Sequence, residues 1–72
     1  MTSMIKLNKV QQFELFCLEN YKMAKGITGK MALNDFKQYQ VFNYLSAGYD
    51  VLHTQGKNYI VAEINDFIER RR

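Results

Sequence analysis

The chain's only histidine, His53, lies three residues after Asp50 and directly before Thr54, in the stretch YDVLHTQGKNYIVAEI (residues 49–64). An imidazole can serve as a general base, a metal ligand or the partner of a nucleophile. Asp50, Thr54 and the single cysteine, Cys17, are the groups it would have to work with. Nucleophilic catalysis needs nucleophile and base within hydrogen-bond reach and a third group that orients the base. On a shared helix Asp50 and His53, at i and i+3, are neighbours. The same spacing also describes a helix end, where an imidazole meets the last carbonyls. One histidine among scattered acids falls short of a catalytic set. The expectation is therefore no catalytic residue and no enzyme.

Other ligand chemistry is also thin. A structural zinc site takes four Cys or His ligands, and the chain has one of each. No D-x-D-x-D-G run offers a calcium loop. "GITGK" (residues 26–30) has a Gly-x-x-Gly-Lys core but neither the full phosphate-loop spacing nor a strand before it. A turn between helices with a capped start explains it better. No cofactor or metal is expected. Tyr39, Tyr44, Tyr49 and Tyr59 could stack nucleobases, but tyrosines at helical spacing more often belong to a core with the hydroxyl at its rim. Tyr39 falls off the main stripes and should be the most exposed. Cys17 sits on the central apolar line of the first helix and reads as a small core residue.

The elements that must position these residues read as helical. The composition is 47% hydrophobic and 14% aromatic with no proline, enough for a packed core in a short chain. From Asn8, a suitable N-cap, Val10, Phe13, Cys17, Tyr21 and Ala24 follow one helical face to Gly26, a C′ residue. Leu15 points away from that face and reads as an isolated exposed apolar residue. Thr28 can cap a second helix carrying Ala32, Leu33 and Phe36, with Met31 where a full capping box wants Glu or Gln. Val41, Leu45, Gly48 and Leu52 form a third line. Gly48 marks either a close packing contact or a break. Asn58 can cap a fourth helix with Tyr59, Ile60, Ile64, Phe67 and Ile68 on its stripe. The expected fold is a single all-α domain over residues 1–72, four short helices around Phe13, Cys17, Tyr21, Leu33, Phe36, Leu45, Leu52, Ile60, Ile64 and Phe67. The alternative makes "DVLHT" and "NYIVA" a C-terminal hairpin, giving a winged-helix-like α+β fold. Unbroken i, i+4 spacing through Val41, Leu45, Tyr49 and His53 favours the helices. Asp50, His53, Thr54, Gly56 and Tyr59 are then a structural corner.

The net charge of +3 comes from scattered lysines and the terminal Arg70, Arg71 and Arg72. Nucleic-acid binders concentrate charge on one face, so this balance suits ordinary solubility. One cysteine allows no internal disulfide, which favours a reducing compartment. "MTSMIKLNKV" lacks the apolar block of about 7–15 residues of a signal peptide. No apolar run reaches the roughly 18 residues of a membrane span. A cytoplasmic location is expected.

Thr28-Gly29-Lys30, the Tyr-x-x-Leu-His-Thr-x-Gly segment at Tyr49–Gly56 and the Tyr-Ile-Val-x-x-Ile segment at Tyr59–Ile64 resemble those of a family of short bacterial and phage-borne proteins. That family is catalogued as a domain of unknown function. The resemblance covers nearly the whole chain and departs at Met31, where the family tends to carry Glu. It implies a compact helical domain, with genes for toxin-like or ADP-ribosyltransferase-like proteins often nearby. The functional expectation is a non-enzymatic protein-interaction module, a homo-oligomer or an antitoxin-like partner of a neighbouring effector. The alternative is a winged-helix or helix-turn-helix regulator that contacts nucleic acid through Arg70, Arg71 and Arg72.

Overall fold

A computed structural model describes residues 7–72 of the chain. The expectation about the leading segment falls mostly on residues 1–6 and lies outside the described residues. The elements are α1 (Lys9–Lys25), α2 (Gly29–Gln38), α3 (Val41–Ala47), α4 (Tyr49–Leu52) and α5 (Lys57–Glu69). No strand occurs among the described residues, so the hairpin alternative is set aside. "DVLHT" is the end of α4 and its turn, and "NYIVA" lies inside α5.

Local chemistry explains the ends. At the start of α1, Asn8 Oδ1 accepts from the Gln11 backbone N–H at 2.8 Å and Gln11 Oε1 accepts from the Asn8 backbone N–H at 3.0 Å. This reciprocal pair satisfies two amides that the first turn leaves without partners. At the other end Gly26 takes φ 65°, a left-handed conformation open to glycine at little steric cost. Gly26 N–H donates to Met23 O and Ile27 N–H to Lys22 O, the hydrogen-bond pair of a Schellman stop. Thr28 Oγ1 then accepts from Met31 N–H at 3.1 Å and caps α2 without a return bond.

The expected third helix is in fact two. Gly48 has φ −98° and ψ 9°, closing α3 and opening the single-turn α4. A Cβ there would lie 3.0 Å from Leu52 Cδ1 and 3.4 Å from the Tyr44 carbonyl oxygen. The crowding thus comes from Leu52 of α4, four residues on, and from the α3 backbone at Tyr44, not from a helix distant in the chain. Periodicity alone hides this break, because Leu45 and Leu52 stay on the same side across it. The cap assigned to Asn58 also moves: α5 starts at Lys57 from Gly56, with no side-chain cap.

Helix α1 packs against α2, α3 and α5, and α3 also touches α2, α4 and α5. The core is Phe13, Cys17 and Tyr21 of α1, Ala32 and Phe36 of α2, Val41 and Leu45 of α3, Leu52, and Ile60, Ile64 and Ile68 of α5. Within each longer helix these positions are spaced by four, the spacing of one face. Leu33 and Phe67, expected in the core, are only half-buried. Ala32 and Ile68 hold those places because they stand four residues from Phe36 and Ile64. Polar ties cross the seams: Tyr21 donates to Asp35 Oδ2 at 2.7 Å, and Ser46 to Glu14 Oε2 at 2.7 Å.

Between α2 and α3, Gln40 takes φ 55° and ψ 42°. For an L residue with a Cβ this left-handed well costs about 1–2 kcal/mol. Glycine removes that cost and adds about 0.5–1 kcal/mol of backbone entropy to lose. Gln40→Gly should therefore raise stability by a few tenths to about 1 kcal/mol, read as a higher urea midpoint with an unchanged slope. A lower midpoint would show that the Gln40 side chain contributes more than its backbone costs.

Candidate functional site

The corner after α4 brings together fewer of its residues than the sequence reading named. The Tyr49 carbonyl accepts from the His53 backbone N–H at 3.0 Å and from the imidazole Nδ1–H at 2.6 Å. The imidazole lies flat on the Tyr49 ring, centroids 4.3 Å apart at 7°, and that ring meets Phe13 edge-on at 5.5 Å. Thr54 Oγ1 donates to the Val51 carbonyl at 2.7 Å. Both side chains thus add a second hydrogen bond to carbonyls at the helix end that already accept from the backbone N–H groups of His53 and Thr54. Asp50 is exposed in the first turn of α4, with no side-chain hydrogen bond to His53 among the described residues. Gly56 is exposed, extended at φ −73°, with nothing within 4 Å of an added Cβ. Neither its conformation nor its space requires glycine.

Cys17 is fully buried, and burial, with the nearby charge of Glu14, pushes its thiol up to about 12. A thiol held protonated inside the core is not a nucleophile. His53, Asp50, Thr54 and Cys17 therefore do not converge. Tyr49, the residue on which His53 rests, was on the helical line in the sequence, and its i, i+4 spacing to His53 is the signal for their stack.

The three arginines are held by their own helix. Arg70 pairs with Asp66 at 2.8 Å and Arg72 with Glu69 at 3.2 Å. The Arg71 guanidinium sits 3.7 Å from the Phe67 ring centroid. Phe67 in turn stacks on Tyr44 at 4.1 Å and 24°. Tyr44 reaches Glu63 Oε1 at 3.4 Å, and burial, then the Glu63 charge, raises its phenol above the usual range. Tyr39, expected to be the most exposed tyrosine, is half-buried with Arg72 5.9 Å from its ring, whereas Tyr59 is exposed.

Apolar surface gathers on one edge of α1. Phe16 is 44% exposed and Met23 70% exposed, two turns apart on the same side of the helix with Asn20 between them. Asn20 Nδ2 donates to the Phe16 carbonyl at 2.8 Å, which turns its amide along the helix. Between this edge and the first turns of α5 lies a shallow hollow lined by Asn20, Met23, Ala24, Lys57, Asn58 and Val61. Leu15 is also exposed but projects from a different side of α1, away from Phe16 and Met23.

Among the described residues, no helix is long and apolar enough to cross a membrane. A family model described as a protein of unknown function (DUF3791) matches residues 12–71. No curated protein and no solved structure matches the chain.

Proposed function

Because this chain belongs to the DUF3791 family of proteins of unknown function, we propose its role from its surface: a non-enzymatic, cytoplasmic protein-interaction module, antitoxin-like in binding the effector encoded beside it. The observation that carries this reading is the ledge of Phe16 and Met23 beside the α1–α5 hollow. Large apolar side chains are mostly buried when a fold has room for them. Here Met23 lines a hollow and Phe16 extends the same edge of α1 two turns away, an arrangement that suits an interface anchor. Methionine adds adaptability, since its unbranched thioether conforms to irregular surfaces. Lys57 at the rim favours an apolar partner ridge flanked by acid. On this reading Asp50, His53, Thr54, Gly56 and Tyr59 serve the architecture of the corner and do no chemistry.

Co-expression with the product of the adjacent gene tests the proposal. The wild-type chain should co-purify with that product at a fixed ratio by light scattering. Phe16→Ser with Met23→Ser should weaken binding by about tenfold or more, in line with the loss of a central apolar anchor. The variant should still melt cooperatively and only modestly below the wild type, because neither side chain belongs to the buried core. A wild-type chain that stays monomeric and free of that product, or a variant that binds as before, rejects the reading.

A further inference from the structure

At the other end of α5 from the ledge, Tyr39, Gln40, Asn43, Tyr44, Phe67 and Arg71 line an open groove. Arg71 differs from its neighbours there. Arg70 and Arg72 each hold a carboxylate, whereas among the described residues no carboxylate lies within ion-pair distance of Arg71. Its guanidinium rests on Phe67, and its one internal hydrogen bond, to the Phe67 carbonyl, is long at 3.4 Å. A guanidinium has five N–H donors in a rigid plane. Resting on the ring holds the cation in place and, apart from the one long bond to the Phe67 carbonyl, leaves its donors free. Phe67 stands on Tyr44, so the cation is carried on an aromatic column and not on a free side chain.

The rest of the groove narrows the ligand. Gln38, Gln40 and Asn43 contribute three carboxamides, each both donor and acceptor, as the backbone of an extended peptide also is. The only contact among them is long, 3.4 Å from Asn43 Nδ2 to Gln40 Oε1, which leaves them able to turn to a ligand. Gln40 is held in the left-handed conformation at this rim, the kind of local cost that persists where the surroundings over-determine it. Glu63, Asp66 and Arg70 border an adjoining depression that shares Tyr44, Phe67 and Arg71 with the groove. With Asp66 already neutralised by Arg70, the one unpaired guanidinium balances one carboxylate, whereas the several charges of a polyphosphate would exceed it and also meet Glu63. We infer that this groove binds an extended, singly acidic peptide segment of a protein partner. Arg71 takes the carboxylate side-on, the carboxamides hold the peptide backbone, and Tyr39 and Tyr44 cover an apolar neighbour.

This inference deepens the partner-binding reading and rests on it. Its test leaves Phe16 and Met23 unchanged, so the two can fail separately. A displayed library of random octapeptides is selected on the full chain and on Arg71→Met, which keeps an apolar stem over Phe67 but removes the donors. On the wild type, Asp or Glu should rise several-fold at one position over the unselected library, and the rise should vanish on Arg71→Met. Synthetic peptides from the selection should lose about tenfold in affinity when Asn or Gln replaces that acid. If the acid enriched is the chain terminus, amidation should have the same effect, which separates the two sources of carboxylate. Failure to select peptides, selection without acidic enrichment, or equal enrichment on Arg71→Met overturns the inference. So does competition in which oligothymidylate binds the groove more tightly than any selected peptide.

Discussion

Phe36→Ala should bring the chain to the edge of unfolding at room temperature. Phe36 is completely buried, its ring 5.3 Å from Tyr21 and 5.2 Å from Phe42 at 73°. It is the place where α1, α2 and α3 share one aromatic cluster. Truncating a buried phenylalanine costs about 3–5 kcal/mol, because the lost transfer energy is joined by a cavity that neighbours fill only in part. A chain of this length holds roughly 4–11 kcal/mol in total at typical values per residue. In the lower half of that range, where so short a chain belongs because it buries little of its surface, the variant keeps little or no remainder. Its urea transition by far-UV circular dichroism should begin without a native plateau. Phe42→Ala, at a half-buried ring of the same cluster, should cost clearly less. A Phe36→Ala chain within about 1 kcal/mol of wild type would mean that α2 is not held as described.

The second large effect is loss of stability in alkali. Burial raises Cys17 from 9.0 to about 12. Burial and the hydrogen bond to Asp35 raise Tyr21 above its ordinary 10.0, and Tyr44 moves the same way. In each case the folded state favours the protonated, neutral form. The unfolded chain releases its proton first, so the folded state binds more protons at high pH and stability falls as pH rises. The contribution is complete below about pH 9 and declines as pH climbs toward 12 and beyond. Urea midpoints measured from neutral pH upward should thus drop steadily above pH 9. Cys17→Ala combined with Tyr21→Phe should flatten that slope, even though the double variant starts lower. An unchanged slope would place the titrating groups elsewhere.

Much of the architecture was legible in the residues. Phe13, Cys17 and Tyr21, or Ile60 and Ile64, repeat at four because a helix returns to the same face, and the core follows that repeat. The caps at Asn8 and Thr28 and the stop at Gly26 were readable because their chemistry is local. At Gly48 the residues left a close packing contact and a break both open, and the structure shows the break, with Leu52 crowding the glycine. Leu33 and Phe67 were misplaced because a wide apolar stripe does not say which of two adjacent positions meets the next helix. Leu33 yields to Ala32, which is fully buried one turn before Phe36, and Phe67 moves out to the column with Tyr44. The corner reads from the sequence as a helix end with the imidazole near its last carbonyls, and the structure agrees, although Asp50, the neighbour at i−3, takes no part. The actual partner is Tyr49, whose carbonyl and ring both face the imidazole. Exposure was hardest to read: nothing in the pattern distinguishes Phe16 and Met23 from residues that complete a core stripe.

The placement of Cys17 gives the molecule a built-in gauge of its own breathing. It is the chain's sole thiol, with no exposed surface, on the helix that packs against α2, α3 and α5. An aromatic disulfide reagent can reach it only when those contacts part together, not when a terminus frays. Labelling speed in fast-closing conditions therefore reports the fraction of molecules momentarily open at the centre, with no engineered probe. Fraying at the solvent-facing first turn of α5 would leave that speed unchanged, and detachment of the whole of α5 from α1 would raise it.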